Sequence, residues 1–216
     1  MRGERIPVTI LTARIIPNAD PALFQALGLS QNERSLGILS TDCDDVSYAA
    51  LDESTKTVRV RVVYARSMYA GSANSTTKLA GEFMGIIAGE EPAEIKSGLE
   101  TAIEYTKKYG FRSANDDGSI VYFAHCISRS GSYLSKIAGI PEGRPIAYLI
   151  APPTEAMVGL DAALKAADVK LCTFYGPPTE TNFAGGLLTG QQEACMAACR
   201  AFAEAVTDVA DYPLGV

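Results

Sequence analysis

The sequence predicts an α+β fold made of two copies of one domain. The first observation is an internal repeat: residues 13–29 resemble residues 124–140 at an offset of 111, with alanine, isoleucine, leucine and glycine recurring in register. The second is the irregular order of the predicted strands and helices, which does not follow a regular βαβ winding. The third is size, because 216 residues with 47% hydrophobic content suffice for two domains of about 100 residues each.

The repeat continues along the chain. Residues 34–45 (RSLGILSTDCDD) match residues 144–155 (RPIAYLIAPPTE) at an offset of 110, and both stretches read as an arginine, an apolar strand and a loop. Residues 86–94 match residues 187–195 at an offset of 101. The order of the matching segments, and the apolar or polar character of their residues, therefore persist over nearly the whole chain.

The two copies meet near residues 110–117. The stretch RSANDDGS in this region has the turn residues that are typical of a linker. We therefore expect one domain at residues 1–112 and a second at residues 113–216.

Local signals predict the elements of the first copy in order. A strand over residues 9–15 leads into a short helix that begins at Asp20 and Pro21, because aspartate can cap a helix and proline suits its first turn. Gly28 ends this helix. A strand over residues 35–39 follows, and the aspartate-rich stretch after it is expected to be a loop.

The rest of the first copy contains one strand and two helices. Residues 56–65 (KTVRVRVVYA) alternate apolar and charged at first, which predicts a strand with one solvated face. A helix is expected over residues 79–88. After Gly89, residues 91–109 have the clearest helical signature, with proline and acids in the first turn and lysines in the last. The second copy ends in the matching helix, residues 191–210.

Charge and composition argue against several classes of protein. The net charge is −6 and no run of basic residues occurs, which disfavours a nucleic-acid partner. No apolar stretch approaches the roughly 18 residues of a membrane helix, and we read no signal peptide at the start. The five cysteines are an odd number without an export signal, so we interpret them as cytosolic thiols.

The thiols and the single imidazole have simple interpretations. Cys195 and Cys199 lie four apart on a predicted helix among small residues, which favours core packing over a metal site. His125 is next to Cys126, but neighbouring residues on a strand point to opposite faces. We therefore predict no catalytic pair, no cofactor and no metal site.

Asp42, Asp44 and Asp45 place three carboxylates within four residues. Their spacing fails the EF-hand pattern, and an acid/base pair would lack a nucleophile or metal. A third interpretation, in which the three aspartates lie in a solvated turn, remains open. Asp45 aligns with Glu155 in the second copy, so acids from both copies could line one opening and attract small cations.

Six stretches carry a resemblance to a known family: RSLGILSTDCDDVSYAA, VVYARSMYAGSA, AGEFMGIIAG, AHCISRSGSYLS, AYLIAPPTEA and PPTETNFAGGLLTG. In this order, over almost all of the chain, they resemble the tandem-domain shell proteins, of subunit L type, of the ethanolamine-utilisation bacterial microcompartment. The resemblance implies two circularly permuted shell domains, each an antiparallel sheet flanked by helices. It implies a flat trimer that imitates a hexamer and packs with other shell proteins into a shell in the bacterial cytoplasm. Such tiles are not enzymes.

The resemblance also implies what the tile does. A central pore at the three-fold axis would open and close, and smaller acidic pores would bind ethanolamine, so that the tile controls passage of metabolites or cofactors. Matching the motifs residue by residue assigns ethanolamine to Asp44, Asp45, Glu82, Phe111, Asn182, Phe183 and Ala184. Glu82 and Phe183 are repeat-equivalent at the offset of 101, as two copies facing one cavity would require. Carboxylates balance an ammonium charge and an aromatic face adds cation–π attraction.

Two loops of small residues, 69–77 and 177–184, are the candidates for the central gate. They are expected to occupy matching places in the two copies, and residues 69–77 carry glycine and serine suited to mobility. Two alternatives stand beside the shell tile. One is a free small-amine sensor that works as an isolated trimer, and the other is an enzyme that uses the aspartate cluster.

Overall fold

The structure is a computed structural model, which describes residues 2–68, 82–177 and 179–214. The chain separates into two compact units. The first unit comprises Pro7–Tyr109 and Gly131–Leu134, and the second comprises Met1–Ile6, Gly110–Ser130 and Ser135–Val216. Each unit thus contains a short segment from the other half of the sequence. The domain limits expected at residues 1–112 and 113–216 stay a prediction.

The first unit is a four-stranded antiparallel sheet with helices packed against it. Its elements are β1 (Ile10–Ile16), α1 (Pro21–Ala26), β2 (Ser35–Thr41), α2 (Asp44–Thr57), β3 (Arg61–Ser67), β4 (Phe83–Gly89) and α3 (Pro92–Lys108). The strand order is β1-β2-β4-β3. Helices α2 and α3 pack on this sheet and on each other.

The second unit repeats this arrangement. Its elements are β5 (Arg112–Ser113), β6 (Val121–Ile127), α4 (Ser132–Ala138, which begins in the segment of the first unit), β7 (Ile146–Ala151), α5 (Pro153–Ala166), β8 (Val169–Tyr175), β9 (Ala184–Gly190) and α6 (Gln192–Asp211). The strand order is β5-β6-β7-β9-β8, with every neighbouring pair antiparallel. Because β6-β7-β9-β8 has the connectivity of β1-β2-β4-β3, the internal repeat and the α+β class are confirmed.

Elements with strong local signals lie where the sequence places them. The helix expected over residues 91–109 is α3, and the one expected over residues 191–210 is α6. Helix α1 begins as predicted, because the Asp20 side chain accepts a hydrogen bond of 2.9 Å from the amide of Ala22.

Two predictions for the first unit were wrong. The expected loop after β2 is helix α2, which begins at Asp44 and runs through Thr57, so that the following strand starts only at Arg61. The helix expected over residues 79–88 is strand β4 from Phe83 onward, while residues 79–81 lie outside the described residues. The two corrections are linked, because a Cβ atom on Gly85 of β4 would overlap the Leu51 side chain of α2. Strand β4 is the surface on which α2 packs.

The core of each unit lies between its sheet and its helices. In the second unit it includes Cys195 and Cys199, which pack with Phe202 and Leu188, so the packing interpretation of these thiols is confirmed. Among the described residues, no helix has the length and apolar character to cross a membrane.

Candidate functional site

Asp44 and Asp45 form the first turn of α2, directly after the end of β2. Their exposed fractions are 4% and 6%, so both carboxylates are buried. Negative charge is favourable at this position, because the free N–H groups and the dipole of the helix point toward it. Cys43 precedes them in an extended conformation and makes no side-chain cap. The sequence therefore carried no capping signal for this helix.

Buried hydroxyl groups fix the turn between β2 and α2. The hydroxyl oxygens of Thr41 and Ser47 lie 2.9 and 2.7 Å from the carbonyl oxygen of Cys43, and 2.6 Å from each other. Asp42 has a different role from its neighbours. Its carboxylate accepts a 2.7 Å hydrogen bond from the amide of Thr9, and its own amide donates to the Thr9 carbonyl at 3.1 Å. Asp42 is thus a link to the chain ahead of β1.

Strand register brings Glu82 to the same end of the sheet as the aspartate pair. Thr41, the last residue of β2, and Ser67, the last residue of β3, both pair with Phe83, the first residue of β4. Glu82 comes immediately before Phe83 and is 7% exposed. Its carbonyl accepts a 2.7 Å hydrogen bond from the amide of Met68. The three acids predicted from the family resemblance therefore lie at one end of the first unit's sheet.

Tyr48 and Ser67 also belong to this group, although the sequence did not point to them. Tyr48 lies one helical turn after Asp44, and its hydroxyl is 2.8 Å from the hydroxyl of Ser67. Ser67 in turn hydrogen-bonds the Asp44 carboxylate. The Tyr48 ring packs edge-on against Phe83, with 4.9 Å between ring centroids. Strand β3 and helix α2 thus meet in a chain of hydroxyl groups that ends at Asp44.

The electrostatics of this group follow from its burial. Loss of water raises the pKa of Asp44 well above its usual range, the charge of Asp45 raises it further, and the Ser67 hydroxyl acts in the opposite direction. Burial also raises the pKa of Tyr48 to about 12, with the two aspartates contributing. Burial raises the pKa of the Cys43 thiol as well. Tyr48 and Cys43 therefore stay protonated at neutral pH.

The second unit contains an aromatic cluster that includes Phe111 and Phe183. Phe111 is 4% exposed and stacks on Phe123 at a centroid distance of 5.5 Å. Phe183 is half-buried and packs edge-on against Phe111 at 5.7 Å. Two of the residues predicted from the resemblance are therefore in direct ring contact, and Phe123 supports them from β6.

Asn182 and Ala184 flank Phe183 at the start of β9. Asn182 is exposed and has a φ of 61°, in the left-handed region that asparagine tolerates. The Thr179 hydroxyl donates to the Phe183 carbonyl at 2.7 Å and holds this turn. Ala184 is buried and pairs with Ala151 of β7. Phe183 immediately precedes β9 as Glu82 precedes β4, so the two are equivalent in the repeat.

The equivalence of Asp45 and Glu155 holds only in part. Both acids lie in the first turn of a helix that follows an equivalent strand, but Asp45 is buried and Glu155 is half-buried. A shared opening lined by both copies stays a prediction. Of the two gate candidates, residues 69–77 lie outside the described residues, and residues 177–184 are described apart from residue 178.

Comparisons with known proteins point in one direction. The BMC domain family matches residues 35–115. The chain is 59% identical to the bacterial microcompartment shell protein EutL of Clostridium perfringens (strain 13 / Type A), with 100% of both chains covered. It is 46% identical to EutL of Escherichia coli (strain K12), covering 98% of this chain and 97% of the relative. The crystal structure of the ethanolamine utilization protein EutL from Leptotrichia buccalis C-1013-b matches with a TM-score of 0.96 at 61% identity, with 100% of both chains covered.

Proposed function

Because the chain belongs to the EutL family of bacterial microcompartment shell proteins, we propose that it forms a trimeric tile whose small acidic pores bind ethanolamine and whose central pore is gated. The chain is a structural protein of the shell and not an enzyme. The proposed domains are residues 1–112 and 113–216. The observation that carries the proposal of ethanolamine binding is the buried pair Asp44 and Asp45.

The pair suits a small organic cation. Two adjacent buried carboxylates repel each other, and the burial of Asp44 and Asp45 deprives them of water that would screen this repulsion. Ethanolamine at neutral pH carries an ammonium group with three N–H donors and a hydroxyl group at the other end. Charge-assisted hydrogen bonds from the ammonium group offset the repulsion. Glu82, at the same end of the sheet, supplies further negative charge.

The remaining proposed ligand residues lie in the second unit. Phe183 is half-buried, so part of its ring is available to a cation, and cation–π attraction contributes roughly 0.5–2 kcal/mol. The exposed amide of Asn182 suits the hydroxyl group of ethanolamine. Phe111 is buried against Phe123 and Phe183, so its role in the proposal is to hold Phe183 in place. The carbonyl of Ala184 is proposed as a further acceptor.

The name of the solved relative, an ethanolamine utilization protein, supports the choice of ligand. Ethanolamine in the small pores would accordingly act on a gate built from residues 69–77 and 177–184, and the tile would control passage of metabolites or cofactors. Partners in this proposal are two further copies of the chain and other shell proteins.

The variant Asp45→Asn tests ethanolamine binding. It keeps the size of the side chain and removes one negative charge from the pair, so we expect ethanolamine affinity to fall by about tenfold or more. Isothermal titration calorimetry at neutral pH measures the affinity, and thermal unfolding checks that the variant is folded.

The matched control is Asp42→Asn. It removes the same charge three residues away, but its amide oxygen can still accept the hydrogen bond from Thr9. We expect near-normal affinity for this variant. Equal affinities of the two variants and the unchanged protein would contradict the proposed site.

A further inference from the structure

Helix α2 has one face that is covered by a short segment from the second half of the sequence. Asp52 on this face accepts hydrogen bonds from the amides of Gly131 and Leu134, at 2.7 and 2.8 Å. Thr55 accepts a bond of 3.1 Å from the amide of Ser132. Because of this cover the Asp52 side chain is fully buried. The first unit therefore shows how a helix of this kind is covered by the segment that begins α4.

The internal repeat identifies the equivalents of both partners in this contact. Helices α2 and α5 are each 14 residues long and follow equivalent strands, so they correspond at an offset of 109. Each carries an aspartate–lysine ion pair at the same positions, which are Asp52 and Lys56 on α2 and Asp161 and Lys165 on α5. The segment that begins α4 corresponds, at the offset of 111, to Asp20–Leu23 at the start of α1.

Both equivalent surfaces are exposed in the described part of the chain. The Asp161 side chain is 63% exposed, whereas that of Asp52 is fully buried. Leu23 is 37% exposed, whereas its equivalent Leu134 is 1% exposed. Three apolar side chains of α5 are also exposed: Met157, Val158 and Leu164. Two surfaces that the repeat predicts to cover each other are thus both open to solvent.

The residues of the two exposed surfaces have changed in a complementary way. Thr55 of α2 corresponds to Leu164 of α5, which has no hydroxyl to accept a hydrogen bond. Ser132 corresponds to Pro21, which has no N–H to donate one. A polar pair is therefore replaced by two apolar residues that can bury surface against each other. Asp161 keeps the carboxylate, which can accept hydrogen bonds from other amides of the segment.

The charges on the two surfaces are compatible with a contact. The Asp20 carboxylate accepts a hydrogen bond of 2.9 Å from the amide of Ala22, so it is turned to its own helix. Lys165 lies one turn after Asp161 and supplies a positive charge to the same surface. Repulsion between Asp20 and Asp161 is therefore opposed by the attraction of Lys165 for both carboxylates.

We propose that the α5 face, formed by Met157, Val158, Asp161 and Leu164, docks onto the segment Asp20–Leu23 of a second copy of the chain. The contact is the counterpart, between copies, of the contact that α2 makes with the start of α4. The inference rests on the proposed trimeric tile and names the surfaces that hold it together. Because the two surfaces differ, each copy offers its α5 face to one neighbour and its segment to the other, and three such contacts close the ring.

Glutamate substitutions on either surface test the contact. Leu164→Glu on the α5 face and Leu23→Glu on the segment each bury a charge in the interface, so the apparent dissociation constant of the trimer should rise by about tenfold or more. Met196→Glu is the matched control, because Met196 is similarly exposed but lies on α6. It should leave the trimer unchanged. Sedimentation velocity of the full-length protein measures the assembly, and far-ultraviolet circular dichroism checks that each variant is folded.

A disulfide trap tests the pairing of residues directly. A double variant with Pro21→Cys and Leu164→Cys places thiols at the positions equivalent to Ser132 and Thr55, which are in hydrogen-bonding contact in the first unit. Oxidised glutathione should link copies of this variant into covalent dimers and trimers on a non-reducing gel. Each single variant is the control and should show no more linkage than the unchanged protein.

The outcomes separate the interface from the proposed function. An unchanged protein that stays monomeric at every concentration would overturn the trimeric tile and the interface with it. A trimer that survives both glutamate substitutions, with no linkage in the double cysteine variant, would overturn the interface alone and leave the trimer intact. Equal dissociation by Met196→Glu would show that the effect is not specific to the α5 face and would also overturn the interface.

Discussion

Asp52 is a buried carboxylate whose role is to hold a neighbouring segment of the chain. Its side chain is fully buried and accepts hydrogen bonds from the amides of Gly131 and Leu134 at 2.7 and 2.8 Å. One turn later on α2, the Thr55 hydroxyl accepts a 3.1 Å bond from the amide of Ser132. These side chains satisfy N–H groups that the start of α4 would otherwise leave without partners. Gly131 approaches α2 so closely that a Cβ atom at this position would overlap Thr55 and Asp52.

The anchored segment also carries Tyr133, whose ring stacks on Tyr48 at a centroid distance of 6.2 Å. Tyr48 is the end of the hydroxyl chain that leads through Ser67 to Asp44. Helix α2 therefore presents buried acids with two roles: Asp44 and Asp45 at its start, which we propose to bind a cation, and Asp52 in its middle, which binds backbone amides.

Removal of the Asp52 carboxylate should destabilise the protein strongly. In Asp52→Ala the amides of Gly131 and Leu134 lose their acceptor in a buried place, so we expect a loss of about 2–4 kcal/mol in the free energy of unfolding. Asp52→Asn keeps one acceptor oxygen and should lose less. Urea denaturation measures both values.

The control for this prediction is Glu53→Ala. Glu53 is the next residue on α2, is only half-buried and pairs with Lys56. Loss of such an ion pair costs about 0–1 kcal/mol. If Asp52→Ala proved no more harmful than Glu53→Ala, the anchoring role of Asp52 would be refuted.

At the scale of elements, the sequence was informative where local chemistry and packing agree. Helix α3 has proline at its start, acids early and lysines late, and its apolar residues face the sheet, so every signal favours a helix. Strand β1 and helix α1 were predicted for similar reasons. These elements need no information from distant parts of the chain.

Helix α2 and strand β4 could not be predicted in the same way. Helix α2 lacks a capping side chain. Its buried positions include polar residues such as Ser47, Asp52 and Ser54, so the apolar residues alone do not recur at helical spacing. Strand β4 is central and almost entirely buried, so its run of apolar residues shows no alternation. A short apolar run of this kind fits a helix or a strand equally well, and only the pairing of β4 with β2 and β3 decides between them.

The N-terminal segment is joined to β5 by an isolated antiparallel bridge between Arg5 and Arg112. The amide of Ile6 donates to the Phe111 carbonyl at 2.8 Å, and the amide of Ser113 donates to the Glu4 carbonyl at 3.0 Å. A Cβ atom at Gly110 would overlap the Ile6 carbonyl, so the two segments approach very closely. The backbone of Phe111, which we propose holds Phe183 in place, is therefore held by the first few residues of the chain.

Replacement of Ile6 by proline should release this segment. Proline has no N–H to donate to the Phe111 carbonyl, so we expect amide hydrogen exchange at Ser113 to accelerate by about tenfold or more. Ile6→Ala is the matched control, because it shortens the side chain and keeps the N–H group. Exchange at Ser113 that is equally fast in both variants would mean that the Ile6 hydrogen bond does not hold the segment.

Over the whole molecule, the internal repeat carried most of the predictive power. It indicated two copies of one α+β unit before any element was certain, and the shared strand order bears this out. The repeat and the family resemblance together also selected the acidic group and the aromatic group. Ser67 and Tyr48 were missed because 19 residues separate them in the sequence, and only the pairing of β3 with β4 brings them to the same end of the sheet.

Assembly is the property that separates a shell tile from a free amine sensor. Phe174 on the edge strand β8 is 50% exposed, and Met157 and Val158 on α5 are 47% and 45% exposed, so these apolar side chains are accessible to a neighbouring chain. We expect the purified protein, at rising concentration, to form flat sheets of hexagonally packed trimers in negative-stain electron microscopy. Discrete trimers at every concentration would favour the sensor. Turnover of ethanolamine by the purified protein would contradict both, because a tile and a sensor each bind the amine without changing it.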